Sequence, residues 1–499
     1  MNLKEEFFIN FIGHCIPRSI NRVAVLTLFR LFLFYLSRAK ITDIRDMALK
    51  SFIEVQPDSH FSIQNLPYGV FKTAPDSVQR PCVAIGEYLL NLAEIAAAGL
   101  FDGSLLKDSD CFDQPNLNKF LSLGRPAWKE ARATLQKLLS STEPALRDNE
   151  ALRSRSLIQL RKVAMVVPVA IQDYTDFFSS MHLPDNSRAA SCESPNKILP
   201  NRFHLPIAYH GRASSIVISG TDIVRPRGQS APIVNSPPHF GPSAKMDFEL
   251  EMAAVVGTGN ELGKPVDIHK AEDHIFGLVL MNDWSARDIQ GWESVPLGPF
   301  LGKSFGTTIS PWIVTLEALE PFKCDSPIQD PPPLPYLAEK TSQNYDISME
   351  VPVPVTFNMF HVQQYINSFH IVIIMDFYFL SCPLSIKQVF CDASLSFLDL
   401  LPPFAMCRYW TLPQLFAHHT INGCNLQPGD LLGTGILSGP EQESFSCLLE
   451  LTWSGQKPMV LSHGISRMFL EDGDEIIITG QSKGNGYTVG FGTCAGMIH

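Results

Sequence analysis

Lys245-Met246-Asp247-Phe248-Glu249-Leu250-Glu251-Met252 alternates apolar and acidic side chains, and its reading decides the fold. Alternation with period two is the pattern of a β-strand with acids on one face. Glu249 and Glu251 then point the same way, on a strand set between hydrophobic runs. Like charges side by side in a sheet are unfavourable unless a cation lies between them. A third acid, Asp283, ends another apolar run, Gly277-Leu-Val-Leu-Met-Asn-Asp283, where it can swing into the same pocket. Carboxylates without Cys or His at ligand spacing favour a hard cation, Mg²⁺ or Ca²⁺, over zinc. The alternative is an exposed strand face whose charges are simply solvated.

Outward from this strand, residues 173–499 read as further strands separated by Pro and Gly turns. These are Ser214–Ser219, Glu251–Val256, Ile275–Met281, Ser446–Trp453 and Glu475–Thr479. Few segments have the length and period of helices, so the expectation is a largely β unit of mixed sheets, barrel-like or layered. Asp330-Pro-Pro-Pro-Leu-Pro335 reads as a rigid loop within it. Residues 47–168 read as a smaller β-rich domain with short strands such as Pro81–Gly86 and one helix, Ala127–Leu139. The boundary falls at 168–172, and the fold class is mainly β (α+β).

Two stretches stand apart. Residues 1–46 form an extension of unknown status, after which the chain begins afresh at Met47. Its apolar run Val23–Leu36 is broken by Arg30 and is too short to span a bilayer. Arg18, Arg22, Arg30 and Arg38 suit a targeting segment, whereas Glu5, Glu6 and the lack of a clear cleavage site do not. Residues 355–407 are densely apolar without a sustained period and read as an atypical insertion.

Composition narrows the function. The length of 499 residues suggests two domains, and 45% hydrophobic against 18% charged residues supports a packed core. A net charge of −11 without a Lys/Arg cluster argues against a nucleic-acid partner. The 11 scattered cysteines, with no C-x-x-C pair, fit buried thiols in a reducing compartment.

Longer motifs resemble one family. DYTDFF at 173–178, LPIAYHGRASS at 205–215, DFELEMA at 247–253, MNDWSARDIQ at 281–290 and PLGPFLGKSFGTTISPW at 296–312 are similar to the fumarylacetoacetase family. So are HHTINGCNLQPGDLLGTG at 418–435, GYTVGFGTCAG at 486–496, and IQNLPYGVF at 63–71 and PNLNKFLSLGRPAWKEAR at 115–132. The match covers about 48–182, 200–354 and 408–499. It implies a small SH3-like β-barrel N-terminal domain and a larger mixed β-sheet or β-roll catalytic domain. It further implies a cytoplasmic homodimer that hydrolyses 4-fumarylacetoacetate to fumarate and acetoacetate, the last step of tyrosine and phenylalanine degradation. No membrane partner is implied. The family's metal ligands, for Mg²⁺ or Ca²⁺, fall on Asp176, Glu249, Glu251 and Asp283, with Lys303 and Thr307 at metal-associated positions. Gln290 and Tyr209 fall on substrate contacts, Lys303 on a catalytic position, and Glu450 on the acid that orients a catalytic histidine.

The residue types suit that chemistry. Breaking a carbon–carbon bond beside a carbonyl leaves a carbanion, tolerable only as an enolate stabilised by a Lewis acid. Lys303 and Gln290 can donate to the oxyanion formed when water attacks, and a histidine paired with a carboxylate would take the water's proton. Other readings are weaker. Gly298 and Gly302-Lys303-Ser304 imitate a phosphate loop but are one residue short of it. Gly480-Gln-Ser482-Lys-Gly484 matches a nucleophile elbow formally and reads better as a hairpin turn. Adjacent His418 and His419 read as packing or capping residues, and Arg287 with Asp288 as a structural ion pair.

The chain also departs from the family pattern. Leu183 stands where the general-base histidine is expected, beside His182, and Cys192 stands where a substrate-binding arginine is expected. Ser294 replaces a tyrosine, Ile436 a threonine, and Phe178 a position that is tyrosine in some members. Pro413 interrupts an expected helix. Three readings follow: a working hydrolase served by His182 or a water chain; a folded metal-binding relative with little or different (acylpyruvase- or decarboxylase-like) activity; or a non-enzymatic chain.

Overall fold

A computed structural model of the chain describes residues 49–180, 200–231, 237–351, 404–405, 408–460 and 466–499. The extension 1–46, His182, Leu183, Cys192 and all of the 355–407 segment but the backbone of 404–405 lie outside the described residues. Among the described residues, no helix is long and apolar enough to cross a membrane.

The N-terminal unit holds a five-stranded antiparallel sheet. Its order is Leu157–Gln159, Tyr88–Asn91, Arg80–Ile85, Tyr68–Lys72 and Ala164–Val166. The expected helix runs from Arg125 to Leu139. Gly124, at φ +85°, sets its start, and Pro126 suits a first turn that lacks acceptors for its N–H groups. Its buried face, Ala127, Trp128, Ala131, Leu135 and Leu138, recurs at helical spacing. Trp128 packs edge-on to Phe276, centroids 5.1 Å apart, and fills the space left by the absent side chain of Gly257. The two units therefore share a core.

An eight-stranded sheet dominates the rest. Along its path lie Ala208–Gly211, Tyr174–Phe177, Leu431–Gly433, Leu250–Val256, Ile275–Asp283, Thr307–Ile309 and Ile216–Ile218, with Val314–Thr315 also on the Ile275–Asp283 strand. Leu250–Val256 is buried on both faces. Leu250, Met252, Ala254 and Val256 enter one hydrophobic core, while Ala253 and Val255 enter the other with Phe276, Val279 and Met281. A four-stranded sheet of Phe404–Ala405, Ser348–Glu350, Glu475–Lys483 and Thr488–Met497 packs nearby.

Several expectations change. The acid-bearing strand is not continuous from 245: Met246–Asp247 and Leu250–Val256 flank a break. Within it Phe248 N–H donates to the Asp247 carboxylate (2.9 Å) and Glu249 N–H to Asn282 Oδ1 (3.0 Å), replacing ladder bonds. Ser446–Trp453 is not a strand; Leu448–Leu451 is a short helix whose first N–H groups are taken by Asp247. Pro413 does not break its helix. It sits in the first turn of Leu412–Thr420, where no intrahelical donor is needed, behind a Thr411–Gln414 capping box. Gly480–Lys483 lies inside a strand with a register shift, and the turn comes at the following residues.

Candidate metal centre

Neighbouring strands bring four acids together. Glu251 lies opposite Met281 in the central pair, and Asp283 ends the partner strand opposite Thr307. Asp176 arrives from Tyr174–Phe177, two strands away, beside Gly433. A Cβ on Gly433 would stand 2.5 Å from Asp176 Oδ1, so only glycine lets that carboxylate lean across. Glu249 enters from the strand break. One oxygen from each of Asp176, Glu249, Glu251 and Asp283 lies within 4.8 Å of the others, and all four residues are buried.

Donors engage some of these oxygens and avoid others. Asp283 Oδ1 accepts from Thr307 Oγ1 (2.7 Å), and Oδ2 from Tyr209 OH (2.5 Å) and Lys303 Nζ (2.8 Å). Lys303 Nζ also donates to Glu249 Oε2, and Arg287 Nη1 to Glu249 Oε1 (2.6 Å). Asp176 Oδ1 accepts Gly435 N–H at 3.0 Å. Among the described residues, neither oxygen of Glu251 has a donor.

The electrostatics follow. Burial, and then Asp283, pushes Asp176 well above the usual carboxylate range. Burial, and then Asp176 and Glu249, does the same to Glu251. Burial would also raise Glu249, but Lys303 and Arg287 overcome it and bring it down to about 2. Burial opposes the Lys303 charge, yet Asp283 and Glu249 hold its pKa above the ordinary value. Burial and then Asp283 raise Tyr209.

A hard divalent cation fits this donor set. Opposite oxygens across such an ion stand roughly 4.2 Å apart for Mg²⁺ and roughly 4.8 Å for Ca²⁺. The donor-free carboxylate of Glu251 is the kind of buried orphan that a cation satisfies.

The remaining expected residues are placed as follows. Tyr209, opposite Asp176 in the strand pair, lines a cavity of about 230 Å³ with Lys303, Thr307, Asp283, Arg212 and Phe300. Gln290 does not line it; its Oε1 meets Arg287 Nη1 at 3.3 Å. Glu450 is buried on the short helix, its Oε2 accepting from Ser438 Oγ (2.6 Å) and Ser446 N–H (3.2 Å). Ser294 turns back to the carbonyl of Gln290 (2.5 Å), and Ile436 packs beside Cys447.

Arg287 and Asp288 are not an ion pair, which corrects the sequence reading. Arg287 bonds Asp247 and Glu249, while Asp288 accepts from Ser243 Oγ (2.6 Å) and Ala244 N–H (2.8 Å). Adjacent residues at the start of a helix project in different directions, so each found partners elsewhere. His418 and His419 stand apart from the acids, His418 against Tyr336 OH (3.1 Å) and His419 against Thr175 Oγ1 (2.9 Å). The reading missed Arg287 and Asp247 as neighbours of the acids. Asp247, two residues before Glu249, was the available signal.

Comparison with known proteins gives the family. A family model described as fumarylacetoacetase N-terminal matches residues 64–168, and one described as fumarylacetoacetate (FAA) hydrolase C-terminal matches 182–372. The chain is 62% identical over 450 residues to a fumarylacetoacetase of Arabidopsis thaliana, covering 90% of this chain and 98% of that one. It is 54% identical over 453 residues to that of Oryza sativa subsp. japonica (90% and 97%) and 48% over 449 residues to that of Homo sapiens (90% and 98%).

Proposed function

The chain belongs to the fumarylacetoacetase family of hydrolases, and from that premise we propose that it cleaves 4-fumarylacetoacetate with water, using a divalent metal. The observation that carries this reading is the convergence of four buried carboxylates, one without a donor among the described residues, beside a buried lysine. Asp176, Glu249, Glu251 and Asp283 would hold the ion, Mg²⁺ or Ca²⁺. The ion supplies Lewis acidity and a template for the diketone when bound.

The chain's own groups do the rest. Water adds to the fumaryl-side carbonyl carbon, and the bond between that carbon and the acetoacetyl carbon breaks. The bonding pair leaves with the acetoacetyl fragment as its enolate, which takes a proton to become acetoacetate; the other product is fumarate. Lys303, held by Glu249 and Asp283, is a preorganised donor for the oxyanion, and Gln290 is a second once its amide turns to substrate; each is worth about 3 kcal/mol. Tyr209 fixes Asp283 and faces the cavity, where it can touch substrate. Glu450 is the acid that would orient a base.

Leu183 favours a second element of this reading. A leucine cannot accept a proton, so water is activated less directly, through His182 or a water chain, and turnover is slower than the metal site alone allows. We assign the protein to a reducing compartment such as the cytoplasm, as a homodimer, with 47–168 and 173–499 as its domains. The test is product analysis: purified protein with Mg²⁺ or Ca²⁺ and 4-fumarylacetoacetate should yield fumarate and acetoacetate in equal amounts. Leu183→His with Cys192→Arg should raise the rate about 100-fold, roughly the low end of a positioned base's contribution. A folded, metal-loaded protein giving neither product in either form would end the reading.

A further inference from the structure

One fully buried acid beside the metal centre is not used by this mechanism. Asp247 ends the Met246–Asp247 strand, and its carboxylate accepts four N–H groups. Oδ1 takes Leu448 N–H (2.7 Å) and Phe248 N–H (2.9 Å); Oδ2 takes Arg287 Nε (2.8 Å) and Leu449 N–H (3.0 Å). Every acceptor position of the group is engaged.

Those donors lead to opposite sides of the site. Arg287 continues through Nη1 to Glu249 Oε1 and to Gln290 Oε1. Leu448 and Leu449 open the short helix that carries Glu450. A carboxylate at a helix N-terminus satisfies N–H groups that have no intrahelical acceptor and complements the helix dipole. Asp247 also shares the charge of Arg287 with Glu249. Without it the guanidinium would face Glu249 alone and compete with a cation for that carboxylate.

We infer that Asp247 is a positioning residue that locks Glu249, through Arg287, and Glu450, through its helix, into one frame. The inference rests on reading Glu249 as a metal ligand. Partners one step behind a metal ligand set its orientation, and losing one typically weakens binding about 10–100-fold.

The test is calorimetric titration of the full chain with Mg²⁺ or Ca²⁺ alone. Asp247→Asn keeps the shape and removes the charge; it should bind about 10–100-fold more weakly while still melting cooperatively. Asp288→Asn, one residue from Arg287 but bonded to Ser243 and Ala244, should bind as the parent does. With 4-fumarylacetoacetate, Asp247→Asn at saturating metal should lower kcat by a larger factor than it raises KM, because Glu450 and, through Arg287, Gln290 are displaced while Tyr209 and Lys303 keep their partners. Arg287→Lys cuts the same link from the other end, so it serves if Asp247→Asn does not fold, and it too should bind the ion at least about tenfold more weakly. Parent-like affinity in a folded Asp247→Asn or Arg287→Lys protein overturns the inference while the metal reading stands. A parent chain that binds neither ion overturns both.

Discussion

Among the described residues, the fully buried side chains of Glu251 and Arg408 both lack hydrogen-bond partners, and they mean different things. Glu251 has no donor on either oxygen, and Arg408 has no acceptor on any guanidinium nitrogen among the described residues. Around Glu251 three more acids converge within 4.8 Å, and burial and then those like charges push it toward protonation. Among the described residues, no carboxylate pairs with Arg408. Its titratable neighbours are Tyr345, Cys324 and Glu339, and the Glu339 carboxylate is already engaged by Thr411 Oγ1 at 2.5 Å. Burial lowers the Arg408 pKa to about 10, so it stays charged at neutral pH with no hydrogen-bond acceptor among the described residues. A cation site is thus read from the convergence of like charges; burial by itself signals only a cost.

The sharpest way to break this contrast is to remove acids. Asp283→Ala should weaken Mg²⁺ or Ca²⁺ binding by more than about 100-fold, beyond the loss expected for an indirect partner. Glu251→Gln should weaken it comparably, yet in chelator it should melt above the parent, because a repelled carboxylate is gone. Calorimetry and melting curves in EDTA check both. Unchanged affinity in either variant would remove the acids from the metal site.

Protons offer a second route. Asp176 and Glu251 have folded pKa values above their unfolded ones. Their contribution to the metal-free protein is therefore present at low pH and lost as pH rises through the raised values. Glu249, at about 2, behaves oppositely: its contribution is present above the unfolded carboxylate range and lost only in strong acid. Binding a cation must expel the protons held by Asp176 and Glu251. The rise in Tm given by a fixed excess of Mg²⁺ should thus grow between about pH 5 and pH 8, the window above ordinary carboxylate values. A rise that shrank with pH would contradict the assignment.

Arg408→Met is expected to have a smaller effect of the opposite sense from an ordinary core mutation. Replacing an unpaired buried cation by an apolar side chain of similar length should stabilise by about 1–3 kcal/mol in urea unfolding and leave metal affinity alone. Destabilisation would mean that the guanidinium has a partner after all.

The sequence carried much of this, unevenly. The alternation of Phe248, Glu249, Leu250 and Glu251 was legible because strand periodicity is local, and the apolar run ending in Asp283 was legible for the same reason. Asp176 was not readable from pattern: it reaches the others across Gly433, a contact between segments far apart in the chain, and only the family resemblance named it. The Arg287–Asp247 pair spans 40 residues, so the nearer Asp288 was chosen instead. The Glu450 segment reads as a strand by composition, and a tertiary contact, the Asp247 carboxylate, made it a helix. The identity of Pro413 suggests a helix break, and its place in the first turn decides otherwise.

Thr411→Ala should have the smallest effect and sharpens the comparison most closely, because Thr411 lies three residues from Arg408. Its hydroxyl donates to Glu339 Oε2 and accepts Gln414 N–H at 3.4 Å, while Gln414 Oε1 receives Thr411 N–H at 3.0 Å. This buried polar group is satisfied and caps the Leu412–Thr420 helix. Its loss should destabilise by about 1 kcal/mol, the usual value of an N-cap hydroxyl. Two polar truncations in one buried segment should then shift the urea midpoint in opposite directions, Arg408→Met upward and Thr411→Ala downward. Both sites are equally hidden from solvent, so opposite signs would show that partnership, and not depth, decides what a buried polar group contributes. Shifts of the same sign would refute that.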